Sequence, residues 1–271
     1  MKKILFLLKL EWLKVKMYRP FWVLSGAYLA IMLFFAPFVN AITIPQEFLD
    51  VKSVLMFPNI WQNLSYWGNW TAFFTLGFLS VLSITNEFSN KTLRQSVISG
   101  LSRRDAFLSK VMFILTLSLA ATLVFTVIAL IIGAFTTETV YFSRVSEGFS
   151  WIFRYFLMCF GFSTFALLIG TLLRRSGVSL FLFLTWEFFI EPIIRYAIHM
   201  QYIAKNETMH YYPMKAFNNL IPIPFPKAAN RMLDNNNLPY LLNIQTDIII
   251  AIIYIALMLY GIYALLQKRD L

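Results

Sequence analysis

Long charge-free runs alternate along the chain with short polar stretches rich in lysine and arginine. A membrane-spanning helix needs about 20 mostly apolar residues. Runs of that length sit at 21–42, 65–84, 111–135, 155–173, 177–196 and 248–266. They predict an all-α, polytopic membrane protein with six transmembrane helices in a single transmembrane domain, 1–271. The second run lies inside a longer uncharged stretch, 53–86, and the fifth holds Glu187 and Glu191. Ahead of the first span, 1–19 reads as a helix at the membrane surface, turning in at Pro20. Lys2, Lys9 and Lys16 form one stripe at intervals of seven, with Ile4, Leu8, Trp12 and Val15 roughly opposite. Phe6 and Leu13 fall near the lysine side and blur the pattern. Trp beside lysines suits the headgroup region of an anionic membrane. The segment 197–246 before the last span is broken by Pro213, Pro222, Pro224, Pro226 and Pro239. Its 220–226 part is too apolar for a solvated loop. Either it dips into the membrane interface or caps the bundle, or it is a proline-stiffened loop packed on its own helices.

Composition sharpens the picture. The chain is 59% hydrophobic and 13% charged, about half the charge of a soluble domain. The net charge of +10 would suggest nucleic acid in a soluble protein, but here it follows the positive-inside bias. With both termini cytoplasmic, the inner stretches hold Lys2, Lys3, Lys9, Lys14, Lys16, Arg19, Lys91, Arg94, Arg103, Arg104, Lys110, Arg174, Arg175, Lys268 and Arg269. The short outer loops hold only Lys52 and Arg144, with Arg154 opening the fourth span; the long outer segment adds Lys205, Lys215, Lys227 and Arg231. This places the chain in a cell membrane, bacterial inner or plasma, as a multi-pass protein with the lipid bilayer as solvent and no nucleic-acid partner. No signal peptide is visible, because lysines interrupt the first apolar runs. Cys159 is the sole cysteine, which excludes an intramolecular disulfide or a cysteine-based zinc site. No internal repeat supports the inverted-repeat plan of many secondary transporters.

Catalytic motifs are missing. There is no Gly-x-x-x-x-Gly-Lys-Ser/Thr loop, no His-Glu-x-x-His and no Gly-x-Ser-x-Gly. His199 and His210 are isolated and fall at or beyond the outer end of the fifth span. We therefore expect a non-catalytic subunit, with no catalytic residue, cofactor or metal site on this chain. One polar constellation lies at membrane depth: Glu187, Glu191, Arg195 and His199, spaced by four. On an α-helix that spacing drifts slowly along one face, and Glu191 can pair with Arg195 beside Pro192. An intramembrane charge either ties helices together or lines a translocation path or gate.

The segment 87–110 is the most informative inner stretch. Thr92 to Ile98 can form a short helix with Gly100 as its stop. Ser102 can cap the next helix, with Asp105 in its first turn. A short surface helix between two spans is a shape suited to docking.

In this loop the sequence resembles permease subunits of type-2 ATP-binding-cassette transporters. Those proteins show a Glu ending the second span, a Thr about five residues on, a small-residue-Ser-Arg stretch, and a Lys entering the third span. Here these correspond to Glu87, Thr92, Ser102, Arg103 and Lys110. Two positions depart: Lys91 stands where a Gly often precedes the Thr, and Leu101 follows Gly100 where a Pro is common. The resemblance extends over essentially the whole chain. It implies an N-terminal elbow helix at 1–19, a cytoplasmic coupling helix in 87–110 and an outer re-entrant segment at 197–246. It further implies an exporter in which two permeases pair, the second a copy or a homologue, and two separate cassette ATPase subunits dock on the coupling helices. ATP and Mg would then be held by the ATPase. Glu87, Thr92, Leu93, Arg94, Val97, Ile98, Arg103 and Arg104 are the candidate coupling residues. Glu187, Glu191 and Arg195 are the candidate path or gate. The alternative is a secondary transporter or channel using Glu187 and Glu191 for ion or proton coupling.

Overall fold

Residues 2–41, 51–203, 210–224 and 243–268 are described by the structure, a computed structural model. Chain order is α1 (Lys2–Lys16), α2 (Arg19–Ala41), α3 (Val51–Leu55), α4 (Asn59–Ser89), α5 (Thr92–Ile98), α6 (Arg103–Thr136), α7 (Phe142–Ser146), α8 (Phe149–Leu173), α9 (Ser176–Thr185), α10 (Glu191–Ile193), α11 (Pro213–Asn219) and α12 (Ile244–Lys268). Among the described residues no strand occurs. Six helical stretches of the described residues are long and apolar enough to cross a membrane: α2, α4, α6, α7 with α8, the stretch Ser176–His199, and α12. In hydrocarbon every backbone N–H and C=O must be paired within the chain, and a helix achieves this locally.

Most of α4 and of α8 is buried, whereas only about a fifth of α2, Ser176–His199 and α12 is. The centre of the bundle is therefore the α4–α8 pair. Small residues let the two helices approach: Gly68 of α4 leaves the room that the Tyr155 ring of α8 occupies. Tyr155 donates to the Gly68 carbonyl at 3.3 Å and shares a 2.8 Å hydrogen bond with the Tyr28 hydroxyl of α2. Tyr28 also reaches the Ala121 carbonyl of α6 at 3.0 Å. Four spans are joined at this one buried pair of hydroxyls.

Several spans are longer than their apolar runs. The second begins at Asn59 rather than at 65, because its polar residues find partners inside the protein. Asn63 donates to the Asn59 and Val54 carbonyls, and Gln62 to the Pro222 carbonyl. Helix α1 also differs from its sequence reading. Its inward face is Leu7, Glu11 and Val15, while Ile4, Phe6, Trp12 and Leu13 are exposed. Helix α1 is apolar on nearly every side, so hydrophobicity could not select the face; the partners of Glu11 do. Of the segment 197–246, Lys205, Pro226, Lys227, Arg231 and Pro239 lie outside the described residues, as does Arg269.

Candidate functional site

Two polar constellations stand out, one at each end of the bundle. At the basic end, α4 stops at Ser89 and Lys91 adopts a left-handed backbone, φ 56°. A non-glycine residue there costs roughly 1–2 kcal/mol. The turn is the physical reason a glycine suits this position. Helix α5 follows, ends before Gly100 at φ 103°, and gives way to α6, whose cap is Ser102 accepting the Asp105 N–H at 3.1 Å. Loop and cap thus form where their residue types place them.

Beneath this loop lies a buried charge node. Lys110 of α6, 2% exposed, donates to Glu11 Oε2 at 2.7 Å, to Glu87 Oε1 at 2.8 Å and to the Ser83 carbonyl at 3.1 Å. Lys14 reaches Glu11 Oε1 at 2.9 Å and Glu87 Oε1 at 2.6 Å. Ser109 adds a 3.1 Å bond to Glu11 Oε1. Burial alone would raise the Glu11 carboxyl, but the ammonium groups of Lys110 and Lys14 outweigh it and hold it down at about 2, against an ordinary 4.5. The node joins α1, the end of α4 and the start of α6. Glu87 was singled out from its place before the loop; Glu11 was not, since a lone Glu in a lysine-rich helix gives no sign of facing inward.

The other loop residues separate into two groups. Thr92 lies at the start of α5, its hydroxyl 3.5 Å from the Glu87 carbonyl. Leu93 is 3% exposed, packed into the core beneath the loop with Ile84, Phe113 and Ile262. It anchors α5 and is not available as a contact surface. Arg103 donates to the Gln267 carbonyl at 2.7 Å and so ties α6 to the last turn of α12. Arg94, Ile98 and Arg104 are exposed, Ile98 to 76%, and Val97 is half-buried.

At the opposite end the fifth span departs from α geometry. Trp186–Ile190 and Ile194–Ile203 are π-helical, with α10 between them. Pro192 lacks an N–H, and the wider i→i+5 pattern around it is one way to absorb the missing bond. Glu191, 3% exposed, does not pair with Arg195 among the described residues. It accepts instead the backbone N–H groups of Met214 at 3.0 Å and Lys215 at 2.6 Å, and the Trp186 indole N–H at 3.2 Å. Arg195 lies by Tyr196, bonding its hydroxyl at 3.0 Å. Glu187 accepts the Asn218 amide at 2.9 Å, and Asn218 Oδ1 accepts Asn69 of α4 at 2.9 Å. His199 and Tyr212 meet at 3.3 Å.

Helix α11 is therefore clasped by two carboxylates of the fifth span and one amide of the second. Asn69 lies ten residues into α4, about 15 Å along its axis. Phe217 fills the space left by Gly161 of α8. The helix dips well into the bundle. Replacing Glu191 by Ala strands two buried N–H donors, each a loss of about 1–3 kcal/mol. A Met214→Cys thiol, fully buried in the parent, is expected to react with an impermeant thiol reagent at least about tenfold faster in the Glu191→Ala background. Unchanged reactivity would show that the clasp does not hold α11.

No curated protein matches the chain in sequence. The stretch 7–190, running from α1 through the basic loop to the first carboxylate of the clasp, matches the model of the ABC-2 family transporter protein, and the chain accordingly belongs to that family as a multi-pass ABC transporter permease.

Proposed function

We propose that this chain is the membrane half of an ATP-driven exporter. Separate cassette ATPase subunits dock at the loop 87–110, and a second permease, a copy or a homologue, completes the path. The carrying observation is the way the loop is mounted. Helix α5 presents Ile98, Arg94 and half-buried Val97 outward, while Leu93 roots it in the core. The node at its base holds α1, α4 and α6 together through Lys110, Glu11, Glu87 and Lys14. A push on α5 by a closing ATPase then moves three helices as one body and does not merely bend a loop. Helix α1 serves as the elbow, α5 as the coupling helix, and both termini lie on the cytoplasmic side with the basic loops. ATP and Mg belong to the ATPase; the lack of a phosphate-binding loop in this sequence supports that division. Glu191 gives both oxygens to the α11 backbone and Trp186, and Glu187 accepts Asn218 of the same helix, which favours positioning the outer segment over carrying ions.

Crosslinking tests the reading. Single cysteines at Ser96 or Ser99 are expected to trap a co-expressed cassette ATPase, and a cysteine at Ser176, in the short turn after α8, to trap it more weakly. Trapping at Ser176 with none at Ser96 or Ser99 would mean that the ATPase docks elsewhere.

A further inference from the structure

At the end of the bundle away from the basic loops, Arg154 sits in the second turn of α8, five residues after Phe149. It is 8% exposed, and its Nε is buried without a hydrogen-bond partner. Among the described residues no carboxylate pairs with it. Of the other buried cations among the described residues, Lys110 has two carboxylates within 2.8 Å and Arg195 bonds the Tyr196 hydroxyl at 3.0 Å, whereas Arg154 makes no hydrogen bond there. Among the described residues it meets an indole: the guanidinium carbon lies 3.5 Å from the centre of the Trp151 ring. That contact occupies the face of the guanidinium and leaves its N–H edge to donate in plane. A planar fork with two parallel N–H donors fits two oxygens of one tetrahedral oxyanion.

The position says which oxyanion. Arg154 lies about 7–8 Å along the axis from the start of α8. Around this helix end Tyr141, Phe142, Phe149 and Phe153 are exposed aromatics, the belt that marks the membrane–water boundary. A cation at that depth is costly without a counter-charge. The anion present in quantity there is the phosphodiester of a phospholipid.

We propose that Arg154, stacked on Trp151, is a phosphate-binding site that takes the phosphodiester of a membrane lipid between its paired N–H donors. The site is independent of any ATPase coupling. Native mass spectrometry of the full chain released from phospholipid nanodiscs tests it, comparing wild type with Arg154→Gln, alongside binding of radiolabelled inorganic phosphate to delipidated protein. The expected result is one more phospholipid retained per wild-type chain than per variant chain. Phosphate binding lost in the variant, with no difference in lipid, would keep the oxyanion site and give it to soluble phosphate. Equal lipid retention together with equal phosphate binding would overturn the site. If Arg154→Gln does not fold, Arg154→Lys replaces it. A point charge cannot stack flat and donate twice, so retention is expected to weaken about tenfold, and unchanged retention would overturn the proposal.

Discussion

Lys110→Met is expected to cost about 3–5 kcal/mol of stability, the range for removing one partner of a buried ion pair. The node holds two carboxylates and two ammonium groups, so its charges sum to zero. Methionine keeps the length and apolar stem of lysine but leaves Glu11 and Glu87 sharing Lys14 alone. The net buried charge becomes −1 at a site from which water is largely excluded. Thermal unfolding in detergent and the yield of monodisperse protein measure the loss. The compensating change is specific: Glu11→Gln in the Lys110→Met background restores neutrality through the 2.6 Å Lys14–Glu87 pair and is expected to recover a large part of the stability. A double variant no better than Lys110→Met alone would refute the charge balance as the cause. The same node sets an acid limit. The folded protein holds the Glu11 carboxyl below its ordinary 4.5, at about 2. Its contribution is therefore fully present above about pH 4.5 and is lost as pH falls toward 2. Stability should show no loss from this group between pH 5 and 8, and should fall on acidification below that range.

Replacing Val97 and Ile98 together by Asp is expected to abolish association with the ATPase while leaving insertion and folding intact. Ile98 is 76% exposed, so it has nearly its whole side chain to bury on docking. Burying such a side chain contributes about 1.5–3 kcal/mol, roughly ten- to a hundredfold in Kd. Asp in its place removes that gain and adds a charge that docking must desolvate. Arg104→Ala should matter far less, since an exposed pair is worth about 0–1 kcal/mol. Leu93→Ala makes the informative contrast. Because Leu93 is buried under the loop, its truncation should lower stability and detach α5 rather than weaken docking alone. Co-purification from membranes, scored beside unfolding temperature, separates the two effects. Normal ATPase recovery with the double Asp variant would remove α5 from the docking surface.

Glu187 and Glu191 show where reading by spacing fails. Intervals of four on an α-helix place Glu191 beside Arg195, where the two can pair. The chain instead takes π turns around Pro192, and Glu191 points at the first N–H groups of α11. Local spacing reports faces only while the helix type holds. It could not announce that a backbone 23 residues further on supplies the donors in place of the neighbouring guanidinium.

The amino-acid sequence alone determined the six spans, the short helix Thr92–Ile98, its stop at Gly100 and the cap at Ser102. Each follows from local physics: an apolar run must satisfy its own backbone in hydrocarbon, glycine tolerates positive φ, and serine accepts an amide at a helix start. Only the tertiary structure decided which face of α1 turns inward, that Leu93 is an anchor, and that Lys110 meets Glu11 across 99 residues of sequence. Those outcomes depend on charges finding partners in a medium that cannot solvate them. The partners are brought together by helix packing, which no interval along the chain records.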